Sequence, residues 1–205
     1  MARTGGVRPQ RLGAGPPWTL GFGGLHPLVR GKNGKKRPMT KRENHYEAAF
    51  EEFLRSRQVP YVAVDEAKRS LVESSSVKSL DFIVSAAAGS KWLVDVKGRR
   101  FPGGMRKQYW KNWSTGDDLT SLARWEGLFG ERFRGLFCFA YNVLGSRAPL
   151  EREALFPFRG RIYGFVAIPL ANYACHARPV SSRWDTWAMP VRRFRQYARP
   201  LVDLL

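Results

Sequence analysis

The sequence predicts an α/β domain in which helices flank a mixed central sheet. Three observations support this fold class: an amphipathic helical pattern over residues 43–58, three apolar strand-like runs after it, and a later helix followed by two more apolar runs. A chain of 205 residues fits one domain of ordinary size, and 43% hydrophobic residues provide enough material for a buried core.

The first half of the domain begins with the segment ENHYEAAFEEFLRSRQ. Asn44 is a predicted N-cap with Glu47 as its capping-box partner, and Pro60 stops the helix. One face of this helix is apolar and consists of Tyr46, Ala49, Phe50, Phe53 and Leu54. Strands are predicted at residues 61–64, 80–86 and 91–98, with a polar connector before the second.

The second half repeats a helix and then strands. Thr115 is a predicted N-cap and Gly130 a predicted end for a helix with apolar residues Leu119, Leu122, Trp125 and Phe129 on one face. Strands are expected at 135–143 and 161–170, with a loop over 145–158 between them. A short helix or turn at 170–177, an edge strand at 184–190 and a basic last helix broken by Pro200 follow.

Residues 1–42 differ in composition from the domain, which we assign to 43–205. Up to about residue 40 they include eight Lys or Arg and no acid, with many Gly and Pro, and no helix or strand period. We therefore expect a disordered basic N-terminal arm. Two alternatives stay open: the arm helps to hold nucleic acid, or it follows from an upstream start codon and has no function.

The net charge of +18 favours a polyanionic partner, nucleic acid before an anionic membrane surface, although arginine is also abundant throughout the chain. Cys138 and Cys175 form no CxxC pair, so neither a zinc site nor a disulfide framework is indicated, and a reducing compartment is expected. No apolar run approaches the length of a membrane span, and we expect an intracellular protein.

The candidate chemistry lies in the second and third strands. Asp81 and Asp95 stand in apolar runs, where a carboxylate is costly to bury unless it is paired or binds a cation. Asp95 and Lys97 are two residues apart and therefore share a face of their strand. If the turn brings Asp81 to that face, two carboxylates and an ammonium group converge.

Such a group of side chains is typical of phosphodiester hydrolysis. Carboxylate oxygens suit a hard divalent cation, which polarises a phosphoryl oxygen and lowers the pKa of a bound water. An amine such as that of Lys97 can steady the attacking water or the developing charge. The alternative is a purely structural Asp–Lys pair at a sheet edge.

Asp81, followed by Asp95-Val96-Lys97, resembles the PD-(D/E)XK nuclease superfamily. The resemblance implies a restriction-endonuclease-like αβββαβ core and Mg²⁺ (or Mn²⁺) held by the two aspartates and the carbonyl of Val96, with Lys97 positioning or activating the nucleophile. Leu80 stands where the superfamily commonly has proline, which is a departure from the pattern.

Tyr46-Glu47 is similar to the Tyr-Glu pair in the first helix of Holliday-junction-resolvase-like members of that superfamily. The resemblance gives Glu47 a catalytic role on the metal side, directly or through a water; the alternative is a helix cap or a surface acid. The segment HYEAAFE, residues 45–51, looks like the signature of the bacterial HYExAFE family, and the likeness extends over residues 43 to about 143. The name of that family defines no function.

The segment after Lys97 combines basic and aromatic residues, which neutralise phosphates and stack on unpaired bases. The predicted nucleic-acid-binding residues are Arg99, Arg100, Arg106, Lys107, Tyr109 and Trp110. The alternative is a solvated loop whose tryptophans pack on the sheet.

Together these features predict a metal-dependent endonuclease or exonuclease that acts on nucleic acid, DNA before RNA, in repair, recombination or defence. Cytoplasmic, nucleoid-associated localisation is expected, and a homodimer follows by analogy alone. The main alternative is a non-catalytic nucleic-acid-binding protein that retains the nuclease fold; a basic structural protein of the ribosome or nucleoid is more distant. The intact set of Asp81, Asp95 and Lys97 favours the enzyme.

Overall fold

A computed structural model describes residues 44–64, 70–72, 75–87, 89–103, 109–181 and 183–205. The predicted N-terminal arm and two of the predicted nucleic-acid-binding residues, Arg106 and Lys107, lie outside the described residues.

The first helix, α1 (His45–Ser56), confirms the helical pattern of the sequence with slightly tighter bounds. The helix begins where predicted, because the side chain of Asn44 accepts a hydrogen bond from the backbone N–H of Tyr46 at 3.1 Å. Its apolar face is buried and includes Ala48, Ala49, Phe50, Phe53 and Leu54. The helix therefore covers one face of the sheet.

Short strands and one long strand follow α1 in the described chain. They are β1 (Tyr61–Ala63), β2 (Ser70–Val72), β3 (Ser75–Val77), β4 (Phe82–Ser85) and β5 (Lys91–Phe101). The antiparallel β2–β3 hairpin corrects the polar connector expected here. The sequence of this segment is rich in serine and lacks the regular alternation of apolar and polar residues that would predict a strand.

The helix and the strands that were predicted for the second half are present. It contains β6 (Ser114–Thr115), α2 (Gly116–Phe129), β7 (Phe133–Val143), β8 (Leu155–Phe158) and β9 (Arg161–Pro169). Strand β8 pairs antiparallel with β9 and lies within the predicted loop, which is a second correction. Pro157 interrupts the strand pattern in the sequence and is tolerated because this strand is at an edge.

The C-terminal segment adds short elements around the sheet. They are α3 (Leu170–His176), β10 (Arg178–Ser181), β11 (Thr186–Ala188), α4 (Val191–Tyr197) and β12 (Arg199–Pro200), with a final 3₁₀ turn. The predicted short helix and last helix are thus found. The strand expected at an edge is present as β11, but it is wrong as an edge strand, because β11 pairs with both β10 and β6 in a separate three-stranded sheet. Among the described helices, none is long and apolar enough to cross a membrane.

The main sheet has the strand order β1-β4-β5-β7-β9-β12, with β8 paired to β9. Strand β4 is antiparallel to β5, whereas β5 and β7 are parallel and joined through α2. This arrangement confirms the predicted αβββαβ core with a mixed sheet between helices, the restriction-endonuclease-like fold class.

Strand β5 separates two hydrophobic cores. Val94 and Val96 pack in the core that α1 covers, whereas Leu93 packs with Leu122 of α2 on the opposite face. Alternation along the strand then directs Asp95 to the α2 face. The central strand of the sheet therefore places the candidate acid beside the second helix.

Candidate active site

The candidate site is centred on a buried ion pair within β5. Nζ of Lys97 lies 2.7 Å from Oδ2 of Asp95, and the two residues are only 9% and 8% exposed. The predicted common face of these two side chains is thereby confirmed. A charged pair this deep in a sheet needs further polar partners, because the desolvation of each ion is costly.

A second carboxylate, from α2, provides that partner. Oδ2 of Asp118 lies 2.9 Å from Nζ of Lys97, and Oδ1 contacts the ammonium of Lys78. The backbone N–H of Thr115 and the hydroxyl of Ser114 also donate to Asp118, each at 3.0 Å. Asp118 thus contacts both Lys78 and Lys97, and Lys97 in turn contacts both Asp95 and Asp118.

Asp81 reaches the same strand from a different direction. It directly precedes β4, and its carboxylate accepts a 2.6 Å hydrogen bond from the backbone N–H of Val96. In a strand, the N–H and C=O of one residue point toward the same neighbouring strand. The carbonyl of Val96 is therefore directed to the side of β5 where Asp81 lies, as a shared metal site would require.

Glu47 is buried in the first turn of α1, where the carboxamide of Asn44 donates a hydrogen bond to it. This contact differs from the predicted capping box, in which the Glu47 side chain would accept from a backbone N–H. Helix α1, which carries Glu47 in its first turn, packs on the face of β5 that carries Val94 and Val96, whereas Asp95 and Lys97 project from the other face.

The surroundings push the pKa values of the two acids near Lys97 apart. Burial raises the pKa of Asp95 above its usual range, with the Asp118 charge adding to the rise and the Lys97 ammonium opposing it. Burial would also raise the pKa of Asp118, but the charge of Lys97 and hydrogen bonds from Lys78, Lys97 and Thr115 hold it well below its usual range. The pKa of Asp118 is therefore lowered and that of Asp95 raised, although both acids contact the same ammonium.

The donor chemistry of the site fits a hard cation. Asp81, Asp95 and the Val96 carbonyl provide only oxygen atoms, which Mg²⁺ and Mn²⁺ prefer. Within the described part of the chain, however, no three His, Cys, Asp or Glu side chains are grouped so as to hold a metal ion.

The described members of the predicted nucleic-acid set divide into two kinds. The guanidinium of Arg99 stacks on Trp113 at 3.7 Å and its side chain is half-buried, whereas Arg100 is exposed. Tyr109 and Trp110 are half-buried and pack edge-to-face against Phe101. Among the described members of this set, the aromatic rings thus pack against the sheet and Arg100 is exposed.

Asp118 is the functional candidate that the sequence patterns missed. Thr115 and Asp118 form a capping box at the start of α2, a pattern that predicts a helix start and not a site. Its role depends on the parallel pairing of β5 and β7, which places α2 against Lys97. A Thr-x-x-Asp signal alone could not reveal that contact.

The fold and this cluster define an α/β protein with a restriction-endonuclease-like core and a buried Asp-x-Lys strand. Among solved structures, the chain is similar to Hjc, a Holliday junction resolvase from Archaeoglobus fulgidus, with a TM-score of 0.47 and 10% identity, over 78% of this chain and 97% of that one. No protein-family model matches the chain, and a search of curated proteins found no match.

Proposed function

We propose that the protein is a metal-dependent nuclease that hydrolyses phosphodiester bonds in nucleic acid, DNA before RNA. The observation that carries the proposal is the buried Asp95–Lys97 pair on β5, beside an Asp81 carboxylate anchored on the N–H of Val96. Buried charges of this kind are costly, and functional sites are where proteins most often retain them.

Asp81, Asp95 and the carbonyl of Val96 are the groups that would hold Mg²⁺ or Mn²⁺. When bound, the cation would polarise a phosphoryl oxygen and lower the pKa of a coordinated water. Glu47 is proposed to contribute its buried carboxylate to the metal, directly or through a water.

Lys97 would stabilise the developing negative charge or orient the attacking water, since an ammonium group donates three hydrogen bonds. Its two carboxylate contacts, to Asp95 and Asp118, fix the position of the amine. We therefore assign Asp118 as a positioning residue, which acts through Lys97 without touching the substrate.

The nucleic-acid partner is supported by the net charge of +18 and by the exposed Arg100 near the end of β5. Such an interface depends on phosphate contacts, so its affinity should fall steeply as salt rises. The basic arm of residues 1–42 and membership of the HYExAFE family are parts of the same proposal that rest on the sequence pattern alone.

The test is a cleavage assay on duplex, single-stranded and branched DNA with Mg²⁺, Mn²⁺ or EDTA. We expect cleavage with either metal, none in EDTA, and none in Asp95→Asn or Lys97→Ala. The matched control is Asp203→Asn, an exposed acid in the final 3₁₀ turn, which should cleave normally. Cleavage that persists in Lys97→Ala would overturn the assignment of this site.

A non-catalytic nucleic-acid-binding protein is the second candidate. Two observations favour it. The Lys97 ammonium forms ion pairs with the carboxylates of Asp95 and Asp118, so neither acid is without a cation partner. Among the described residues, no three His, Cys, Asp or Glu side chains are grouped so as to hold a metal ion. DNA binding without metal-dependent cleavage or metal-dependent stabilisation would support this candidate over the nuclease.

A further inference from the structure

A separate polar cleft lies on the α1 face of the sheet. Its volume is about 860 Å³, and its polar lining consists of His45, Tyr46, Arg100, Asn142 and Arg161. None of these lining residues contacts the Asp95–Lys97 pair, which belongs to the α2 face of β5. The cleft therefore needs an explanation of its own.

Strand register brings the polar groups of this cleft into one row. Arg100 of β5 is opposite Asn142 of β7, and Asn142 is opposite Tyr163 of β9. Opposed residues in adjacent strands project to the same face, so three neighbouring strands each contribute one polar side chain. The row ends at α1, where Nδ1 of His45 lies 2.8 Å from the hydroxyl of Tyr163.

Arg161 adds a second guanidinium to the row. It is two residues before Tyr163 on β9, which places it on the same face. Burial, and then the charges of Arg161 and Arg100, lower the pKa of His45. Both guanidinium groups therefore lie close enough to His45 to affect its charge. The residues that line the cleft include no carboxylate to neutralise these charges.

Asn142 is the most informative member of the row. It is 6% exposed, and its carboxamide lines the cleft, from which it is accessible. A ligand in the cleft that carries acceptor oxygens can therefore take a hydrogen bond from the N–H groups of this amide.

We propose that this cleft is a binding site for a phosphate group of a nucleic-acid strand. Arg100 and Arg161 would contribute charge-assisted hydrogen bonds, and the Asn142 amide would donate to a phosphoryl oxygen. The inference deepens the proposed function by assigning a phosphate subsite, but it requires only binding of nucleic acid and not its cleavage.

The experiment measures fluorescence anisotropy of a labelled single-stranded oligonucleotide with the full-length protein in EDTA. Arg161→Gln should weaken binding about tenfold, since it removes a charge-assisted contact. The matched control is Arg192→Gln, an exposed arginine on α4 with the same change of charge, which should weaken binding far less.

Asn142→Leu separates a ligand contact from a structural one. Replacing the amide by an apolar group of similar shape should leave the melting temperature unchanged or raise it, while binding weakens severalfold. A lower melting temperature with unchanged binding would overturn the proposal.

Two forms of the oligonucleotide distinguish the source of the phosphate. A 5′-phosphorylated form that binds tighter than the 5′-hydroxyl form, with the difference lost in Arg161→Gln, identifies a terminal phosphate; equal losses for both forms identify a backbone phosphate. Losses no larger than those of Arg192→Gln overturn the site. Because EDTA prevents metal-dependent turnover, this result is independent of whether the nuclease proposal succeeds or fails.

Discussion

Nζ of Lys97 lies 2.9 Å from Oδ2 of Asp118, so an amine on the central strand is held by an acid on the second helix. The same carboxylate also contacts Lys78 and caps its own helix through Thr115. One side chain thus joins three separate segments of the chain.

Asp118→Asn should therefore lower the free energy of unfolding by about 3 kcal/mol, because it removes a buried charge that pairs with both Lys97 and Lys78 and leaves the Lys97 ammonium with Asp95 alone. Urea denaturation at neutral pH measures the change. The control is Glu131→Gln, an exposed acid just after α2, which should change stability by less than about 0.5 kcal/mol. Equal effects of the two variants would mean that the Asp118 contacts contribute little.

The same acid should give a defined pH dependence. The folded-state pKa of Asp118 is held well below that of an unfolded aspartate, about 3.9. As pH falls below about 5, the unfolded chain takes up the proton first, so the Asp118 contribution is lost progressively toward the folded pKa. The stability difference between wild type and Asp118→Asn should shrink in acid; a difference that stays constant down to about pH 3 would contradict this.

The helix and strand patterns predicted the core of the fold because these segments are long and periodic. The amphipathic repeat of α1 and the apolar run of β7 each identify an element without tertiary information. The same local rule, that residues two apart share a face, correctly predicted that Asp95 and Lys97 project from one side of β5.

Other features depend on contacts that sequence spacing does not contain. Asp118 comes from another element, and Asn142 and Tyr163 are aligned only through the pairing of β7 with β9. The short strands β2 and β8 lack enough residues to show a period. Tertiary pairing, not local propensity, decides such positions.

Gly98 should be essential for the docking of α1. A Cβ built at this residue would lie 2.2 Å from the ring of Tyr46, which itself packs against the α1-side core. Gly98→Ala should destabilise the fold by roughly 1–3 kcal/mol through overpacking. Thermal unfolding measures this effect, with Gly127→Ala as the control. Its Cβ would meet no atom within 4 Å, and in the last turn of α2 alanine should be neutral or stabilise by up to about 1 kcal/mol.

Asp95→Asn should separate the stability of the site from its function. Burial raises the pKa of Asp95, so keeping this carboxylate ionised at neutral pH costs folding free energy. In EDTA the variant should therefore be at least as stable as wild type, because Asn removes that cost while Asp118 still pairs with Lys97.

With Mg²⁺ or Mn²⁺, wild type should instead be more stable than Asp95→Asn. A ligand that binds only the folded state stabilises it by about 2.7 kcal/mol at a hundred times its Kd, so wild type should gain melting temperature with either metal. Asp95→Asn and Asp81→Asn should gain little, because each loses a carboxylate from the oxygen donors that surround the Asp95–Val96 peptide. Differential scanning fluorimetry with and without metal gives the comparison, and Asp203→Asn, an exposed acid of the final turn, should respond like wild type. An equal metal-dependent shift in Asp95→Asn and wild type would remove Asp95 from the metal site and favour the non-catalytic candidate.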